Sequence, residues 1–199
     1  TYDDFKALNL QLSEFWEMDT VLSARGCLKC ILTFVDPEIS LFYARLLPCH
    51  EPCYVERASN TLEKTLGGVY EFQSMLPVIL TDRGSEFGKP DNLEMNKDGI
   101  IRTSIYYCDP MRSGQKGCLE EAHTLLRMIL PKGTVFTDVT QWDIRRIVNH
   151  INSYARKNLE GATPYQLALK KYGPEILEAL QVKFIPPDEV TLSPDLLKK

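Results

Sequence analysis

The stretch that decides the fold is LPVILTDRGSEFG, residues 76–88. Its Val-Ile-Leu run at 78–80 is short, rich in β-branched residues and closed by turn residues, which predicts a strand buried on both faces. Asp82 follows the carboxyl end of that strand, where ligands bind in open α/β sheets. Asp and Gly two residues apart are also common in turns. Whether Asp82 is a turn residue or a catalytic residue must therefore be decided from the positions of the other carboxylates.

Three further strands precede this stretch. Apolar and polar residues alternate over 14–23, and β-rich segments follow at 27–35 and 41–47 with short turns between them. This spacing predicts an antiparallel meander. Residues 53–75 have apolar side chains at helical spacing, with a break at the Gly-Gly pair inside them. A helical connection of this length can carry the chain to a parallel strand.

The second half of the sequence is mainly helical. The predicted elements are a helical turn at 90–94, a strand at 103–108, helices at 119–130, 143–154 and 164–172, a short helix at 175–182 and an extended tail to 199. The order predicts an α/β fold with a mixed five-stranded sheet flanked by helices. In such a sheet the first and fourth strands can be neighbours.

The composition is that of a globular protein with a hydrophobic core. The 199 residues fit one domain with an extension, and the net charge of −4 argues against a chain whose main task is coating nucleic acid. An enzyme acting on nucleic acid remains compatible with this charge. No apolar stretch approaches the roughly 18–20 residues that span a bilayer, which predicts a cytoplasmic protein without a membrane partner. The start at Thr1 suggests a domain excised from a longer chain.

Six cysteines allow two interpretations. Cys27, Cys30, Cys49 and Cys53 could be the four ligands of a zinc ribbon. However, the first two lie on a predicted strand, where residues three apart point to opposite faces. We therefore favour reduced cysteines that pack in the interior, as is usual in a cytosolic protein, and keep the zinc ribbon as the weaker alternative.

Carboxylates occupy three positions that could meet at one edge of the sheet. Asp19 lies on the first strand, Asp82 follows the fourth, and Glu120 lies in the first turn of a helix. Three acidic side chains in a cleft suit Mg²⁺ or Mn²⁺, and two such ions about 3.5–4 Å apart catalyse phosphoryl transfer. His123 and Arg127 lie one and two turns further along the helix, where they would face the phosphate or the attacking hydroxyl.

Several motifs in this order resemble those of the DDE transposases of bacterial insertion sequences, in particular the IS-thirty-like branch. They are WEMDTV, VILTDRGSEFG, YYCDPMRSGQKGCLEEAH, LPKGT and INSYARKNLEGATPYQLA, covering about residues 14–173. The resemblance implies a ribonuclease H-like core of the retroviral integrase type, with Asp19, Asp82 and Glu120 as the acidic triad. It matches His123 and Arg127 to the residues that usually follow the glutamate.

The same resemblance implies a function and partners. The expected activity is cleavage and transfer of DNA strands, dependent on two Mg²⁺ or Mn²⁺ ions, by a bacterial protein that is nucleoid-associated when acting. The expected partners are transposon ends, target DNA and further copies of the chain. A helix-turn-helix region would precede residues 1–13, which lead into a catalytic core at 14–160, with helices and a tail at 161–199.

Two departures from the family pattern favour an alternative. Arg83 stands where the family usually has Asn, and Gly114 replaces an aromatic residue. The alternative function is a degenerate, non-catalytic module that binds DNA or helps assembly.

Other charged residues are expected in or near the site. Glu121 is an alternative to Glu120 as the third carboxylate, while Glu17 and Glu86 are acidic groups expected near the site. The predicted DNA contacts are Arg83, pointing outward, together with Lys116, Lys132, Arg156 and Lys157.

Overall fold

A single mixed sheet forms the centre of the computed structural model, which describes residues 1–110 and 112–198. The strand order is β3-β2-β1-β4-β5, with β1 antiparallel to β2, β2 antiparallel to β3, and β4 parallel to both β1 and β5. The strands are β1 Trp16–Leu22, β2 Cys30–Asp36, β3 Leu41–Leu47, β4 Val78–Thr81 and β5 Ser104–Tyr107. The predicted mixed five-stranded sheet is confirmed.

Seven α-helices are present in the described residues and flank the sheet. They are α1 Tyr2–Ala7, α2 Pro52–Leu66, α3 Val69–Met75, α4 Pro90–Glu94, α5 Gly117–Ile129, α6 Gln141–Asn152 and α7 Pro164–Ala179. Gly67 separates α2 from α3 because its φ of 111° is a left-handed conformation that ends the first helix. None of the helices in this part of the chain is both long and apolar enough to cross a membrane.

The parallel pairing of β1 with β4 places the functional candidates. Trp16 is paired with Ile79 and Glu17 with Leu80. The same register, continued along both strands, sets Asp19 level with Asp82. Trp16 stabilises the pairing of β1 with β4. Its side chain is buried, with 2% exposed, and its Nε1 donates to the carbonyl of Met75, just before β4, at 2.7 Å.

The boundaries differ from the sequence predictions in a few places. β2 begins at Cys30 rather than at residue 27, because beyond Leu22 the chain leaves the sheet and bonds residues 134–136 instead. The helices predicted at 164–172 and 175–182 form one element, α7, which is interrupted at Gly173. The short helix α1 has no counterpart among the predicted elements, and Phe5 packs it on Phe15.

All six cysteines are free thiols. Cys30 and Cys108 are buried, and burial raises the pKa of Cys30 to about 12 and that of Cys108 to about 11. Both thiols therefore stay protonated at neutral pH and contribute to packing.

Candidate active site

A cleft of about 300 Å³ opens where β1 and β4 meet the first turn of α5. It brings together five of the predicted site residues: Asp19, Asp82, Arg83, Lys116 and Glu120. Its remaining lining residues are Gly84, Cys108, Asp109, Pro110 and Arg112. Asp19 comes from β1 and Asp82 from the loop after β4. Glu120 lies on α5, so residues far apart in sequence share one cleft.

A buried lysine lies between the two aspartates. Lys116 is 5% exposed, and its Nζ is 2.9 Å from Oδ2 of Asp19 and 3.5 Å from Oδ2 of Asp82. The same ammonium donates to the carbonyl of Met18 at 3.4 Å. Burial raises the pKa of Asp19, while Lys116 opposes this effect and the charge of Asp82 adds to it. Lys116 is thus the counter-ion of both carboxylates.

The backbone orients both aspartates in the same way. Oδ1 of Asp19 accepts the N–H of Thr20 at 2.7 Å, and Oδ1 of Asp82 accepts the N–H of Gly84 at 2.9 Å. Each carboxylate therefore has one oxygen held by the main chain and presents the other to Lys116. One oxygen from β1 and one from the loop after β4 are therefore directed at the same positive charge.

Glu17 fixes the start of the helix that carries Glu120. α5 has no side-chain cap of its own, and Oε2 of Glu17 accepts the N–H of Leu119 in its first turn at 2.7 Å. Burial raises the pKa of Glu17 to about 7. Because Glu17 and Asp19 are on the same strand, this bond sets the distance between Asp19 and the residue after Leu119, which is Glu120.

The loop before α5 is held closed at its base. The backbone N–H of Asp109 donates to Oε1 of Gln115 at 2.8 Å, and Nε2 of Gln115 donates back to Oδ2 of Asp109 at 2.9 Å. The next residue is Lys116, so this pair of bonds helps to place its ammonium in the cleft.

The donor set suits a small divalent cation. Carboxylate oxygens are the preferred ligands of Mg²⁺ and Mn²⁺, and Asp19 and Asp82 already converge on the ammonium of Lys116. Within the described residues, no three side chains of His, Cys, Asp or Glu form a ready metal-binding group. Glu120 is exposed and lines the same cleft as the two aspartates. The carboxylates of Asp19, Asp82 and Glu120 would hold such a cation in this cleft.

Known proteins resemble the chain in sequence and in fold. No family model matches the chain. The transposase of insertion sequence element IS4351 from Bacteroides fragilis is 28% identical over 148 residues, covering 74% of this chain and 42% of that protein. The transposase InsI of element IS30A from Escherichia coli (strain K12) is 30% identical over 86 residues, covering 43% of this chain and 21% of that protein. The chain is similar in sequence to transposases of bacterial insertion sequences.

Solved structures of integrase catalytic cores share the fold of this chain. The catalytic core domain of BIV integrase has a TM-score of 0.55 and 18% identity, covering 80% of this chain and 95% of that one. The HTLV-2 integrase catalytic core domain, in complex with magnesium, has a TM-score of 0.54 and 16% identity, covering 77% of this chain and 95% of that one. The predicted integrase-type, ribonuclease H-like fold is confirmed. The chain spans less than half the length of the two transposases named above.

His123 faces the sheet. Its Nε2 is 2.9 Å from Oγ1 of Thr33, which in turn donates to the backbone carbonyl of Asp19 at 3.0 Å. Burial lowers the pKa of His123 to about 4, helped by the charges of Lys116 and Arg127. The imidazole is therefore neutral at physiological pH, and its Nε2–H donates to Thr33.

A second groove adjoins the cleft on the other side of Glu120. It has a volume of about 590 Å³ and contains His123, Arg127 and Lys132 along with residues of β1. The Nη1 of Arg127 donates to the carbonyl of Leu130 at 3.4 Å and its Nη2 to that of Leu22 at 3.5 Å. Arg127 thus joins the end of α5 to the end of β1.

The remaining predicted DNA contacts differ in exposure. Arg83 is exposed, as expected, and Lys132 and Lys157 are exposed as well. Arg156, in contrast, is 3% exposed, and its Nη1 pairs with Oε1 of Glu121 at 3.1 Å. Glu121, the rival third carboxylate, is bound to this arginine and does not line the cleft.

Sequence reasoning misses two members of a polar cluster behind the cleft. It places the acidic Glu86 near the site, but it does not single out His50 or Thr20. Oε1 of Glu86 accepts the hydroxyl of Thr20 at 2.6 Å and lies 2.7 Å from Nε2 of His50. Thr20 could have been found from the sequence, because it directly follows Asp19. His50 lies in the loop before α2, and no local sequence motif marks it.

Proposed function

We propose that the chain is the catalytic core of a transposase, which cuts DNA strands at transposon ends and joins the freed 3′-hydroxyl to target DNA. The observation that carries this proposal is the convergence of Asp19 and Asp82 on one cation, in a cleft that also contains Glu120. Homology to insertion-sequence transposases supports it independently of the geometry.

Asp19, Asp82 and Glu120 are the residues that would hold Mg²⁺ or Mn²⁺. Two ions are proposed, and when bound they would activate the attacking oxygen and stabilise the leaving one. The HTLV-2 integrase core, which shares this fold, was solved in complex with magnesium, and this supports the choice of metal. Glu17 keeps α5 in place beside β1, and the bond from Leu119 to Glu17 thereby orients Glu120.

Positive side chains around the cleft are proposed to bind DNA phosphates. Arg83 lies at its exposed rim and Lys132 in the adjoining groove, so a DNA backbone passing over Glu120 would meet both. Lys116 is buried and paired with Asp19 and Asp82, so it would be available to a phosphate only when a metal ion takes its place between them. Lys157 is a further surface candidate. Arg156 is proposed to stabilise the protein through Glu121, because a buried and paired guanidinium is not available to a phosphate.

The domain boundaries, the oligomeric state and the cellular location are also proposals. We assign the catalytic core to residues 14–160, with 1–13 as a lead-in and 161–199 as an accessory region. We propose that the chain acts as a homo-oligomer on bacterial DNA in the cytoplasm, with sequence recognition by an upstream helix-turn-helix region. The trimeric form of the HTLV-2 integrase core supports oligomerisation.

The catalytic proposal can be tested with a branched DNA duplex that mimics the product of strand transfer. This substrate does not require the transposon-end sequence to be known. We expect the protein to resolve it with Mg²⁺ or Mn²⁺, and Asp19→Asn, Asp82→Asn and Glu120→Gln to lower the rate by on the order of 100-fold or more. The matched control is Glu121→Gln on the same helix, which should keep the activity. A wild-type protein that binds the DNA without resolving it would instead indicate the non-catalytic module.

A further inference from the structure

A second buried carboxylate follows Asp82 in the same loop. Glu86 lies in the 3₁₀ helix Ser85–Phe87 and is 3% exposed. Its Oε1 contacts Thr20 of β1 and His50 of the loop between β3 and α2, at 2.6 and 2.7 Å. His50 Nε2 is also 3.0 Å from the Thr20 hydroxyl. The carboxylate thus joins the Asp82 loop to two other parts of the chain.

The other oxygen of Glu86 explains the glycine in this loop. Oε2 has no hydrogen-bond partner among the described residues and points at Gly84. A Cβ at Gly84 would lie 2.3 Å from this oxygen and 2.7 Å from Cδ, closer than real Cβ contacts. The φ of Gly84 is −57°, which any residue adopts. The carboxylate, rather than the backbone conformation, therefore excludes a side chain at Gly84.

These contacts continue to the metal-binding candidate. The N–H of Gly84 donates to Oδ1 of Asp82, so the position of Gly84 decides the orientation of that carboxylate. The carbonyl of Gly84 also accepts the N–H of Phe87, which closes the 3₁₀ turn. A displacement of Glu86 would release Gly84 and, with it, the orienting bond to Asp82.

We propose that Glu86 is a positioning residue that holds the Asp82 loop against Thr20 and His50, so that Asp82 stays level with Asp19. Glu86 acts through Gly84 and does not itself touch the metal or DNA. This inference rests on the proposed function, because it assigns Asp82 to a metal site. It adds His50 and Thr20 to the residues on which that site depends.

A double-mutant cycle tests the contact between Gly84 and Glu86. Gly84→Ala alone should lower the melting temperature and weaken Mn²⁺ binding at least fivefold, because the new methyl group displaces the carboxylate. In the Glu86→Ala background the same change should have little further effect, since nothing opposes the methyl group there. Equal, additive penalties in both backgrounds would overturn the proposal.

Hydrogen exchange and Mn²⁺ titration test the positioning role itself. Glu86→Ala, and the milder His50→Ala, should speed exchange of the Gly84 and Phe87 amides about tenfold and weaken Mn²⁺ binding at least fivefold. Glu63→Gln is the control, because it removes the ion pair with buried Arg102, which does not line the cleft, and should leave both quantities unchanged.

The outcomes separate the two proposals. Unchanged exchange in Glu86→Ala, or faster exchange with unchanged Mn²⁺ affinity, would overturn the positioning role of Glu86 and leave the transposase proposal standing. A wild-type protein that binds no Mn²⁺ would overturn the metal-dependent function. In that case the exchange rates and the mutant cycle would still decide whether Glu86 holds the loop.

Discussion

At the scale of single residues, Lys116 decides the electrostatics of the cleft. Its single positive charge is shared between Asp19 and Asp82, so Lys116→Met leaves two carboxylates facing each other without a counter-ion. We expect a loss of roughly 1–3 kcal/mol in the free energy of unfolding without metal. Mn²⁺ should then raise the melting temperature of the variant more than that of the wild type, because no ammonium competes with it.

Lys171→Met is the matched control for this change. Lys171 also bridges two carboxylates, those of Asp36 and Glu38 at 2.7 Å each, but outside the cleft. Both variants should be destabilised, and Mn²⁺ should stabilise the Lys171 variant no more than the wild type. An equal Mn²⁺ effect in both variants would show that Lys116 does not occupy the metal position.

His123 gives a prediction for pH dependence. Its pKa is lowered to about 4, so the unfolded chain binds this proton more readily between pH 4 and 6.5. Stability should therefore fall as the pH drops from 6.5 to 4, by roughly 3 kcal/mol from this group. His123→Gln should lose this component of the pH dependence in urea unfolding. An imidazole that titrates near pH 6.5 by NMR would contradict the assignment.

At the scale of elements, Glu17 connects β1 to the start of α5. Glu17→Ala removes the acceptor for the N–H of Leu119 and should cost roughly 1–2 kcal/mol, as the loss of a helix cap does. Mn²⁺ affinity should fall as well, because Glu120 follows Leu119. Glu17→Gln keeps an acceptor oxygen and should retain most of both quantities, measured by thermal unfolding and calorimetry. Equal losses in the two variants would contradict the capping role.

The edge strand β3 depends on α6 for its hydrogen bonds. Asn152 pairs with both backbone groups of Phe42, accepting from its N–H at 2.9 Å and donating to its carbonyl at 2.8 Å. Asn152→Ala leaves both groups buried and unpaired, which should cost roughly 2–4 kcal/mol in urea unfolding. Gln141→Ala, which affects the less buried Leu46 end, should cost less. A larger loss at Gln141 would refute this account of the edge.

At the scale of the whole molecule, local patterns predict the sheet and most helices. The short apolar run at 78–80 and the alternating segments before it indicate strands, and the order of elements allows β1 to lie beside β4, as the structure has it. The positions of Asp19, Asp82 and Glu120 in one cleft follow from that topology. Burial is harder to predict, because it depends on packing between distant elements.

Three residues illustrate what local sequence does not contain. Arg156 has the pattern of a surface charge, yet it is buried against Glu121 from another helix. Lys116 is predicted as a phosphate ligand, yet it pairs with two aspartates. His50 carries no motif, and its contact with Glu86 depends on a loop 36 residues away in the sequence. In each case the deciding partner is remote along the chain.

The most direct test of the metal-dependent active site is a crystal structure of the protein soaked in Mn²⁺, measured at the manganese absorption edge. We expect anomalous density between the carboxylates of Asp19 and Asp82, with the ammonium of Lys116 displaced and Glu120 turned into the cleft. Density that is absent from this cleft at saturating Mn²⁺, with Lys116 still paired to both aspartates, would contradict the proposed metal-dependent transposase core.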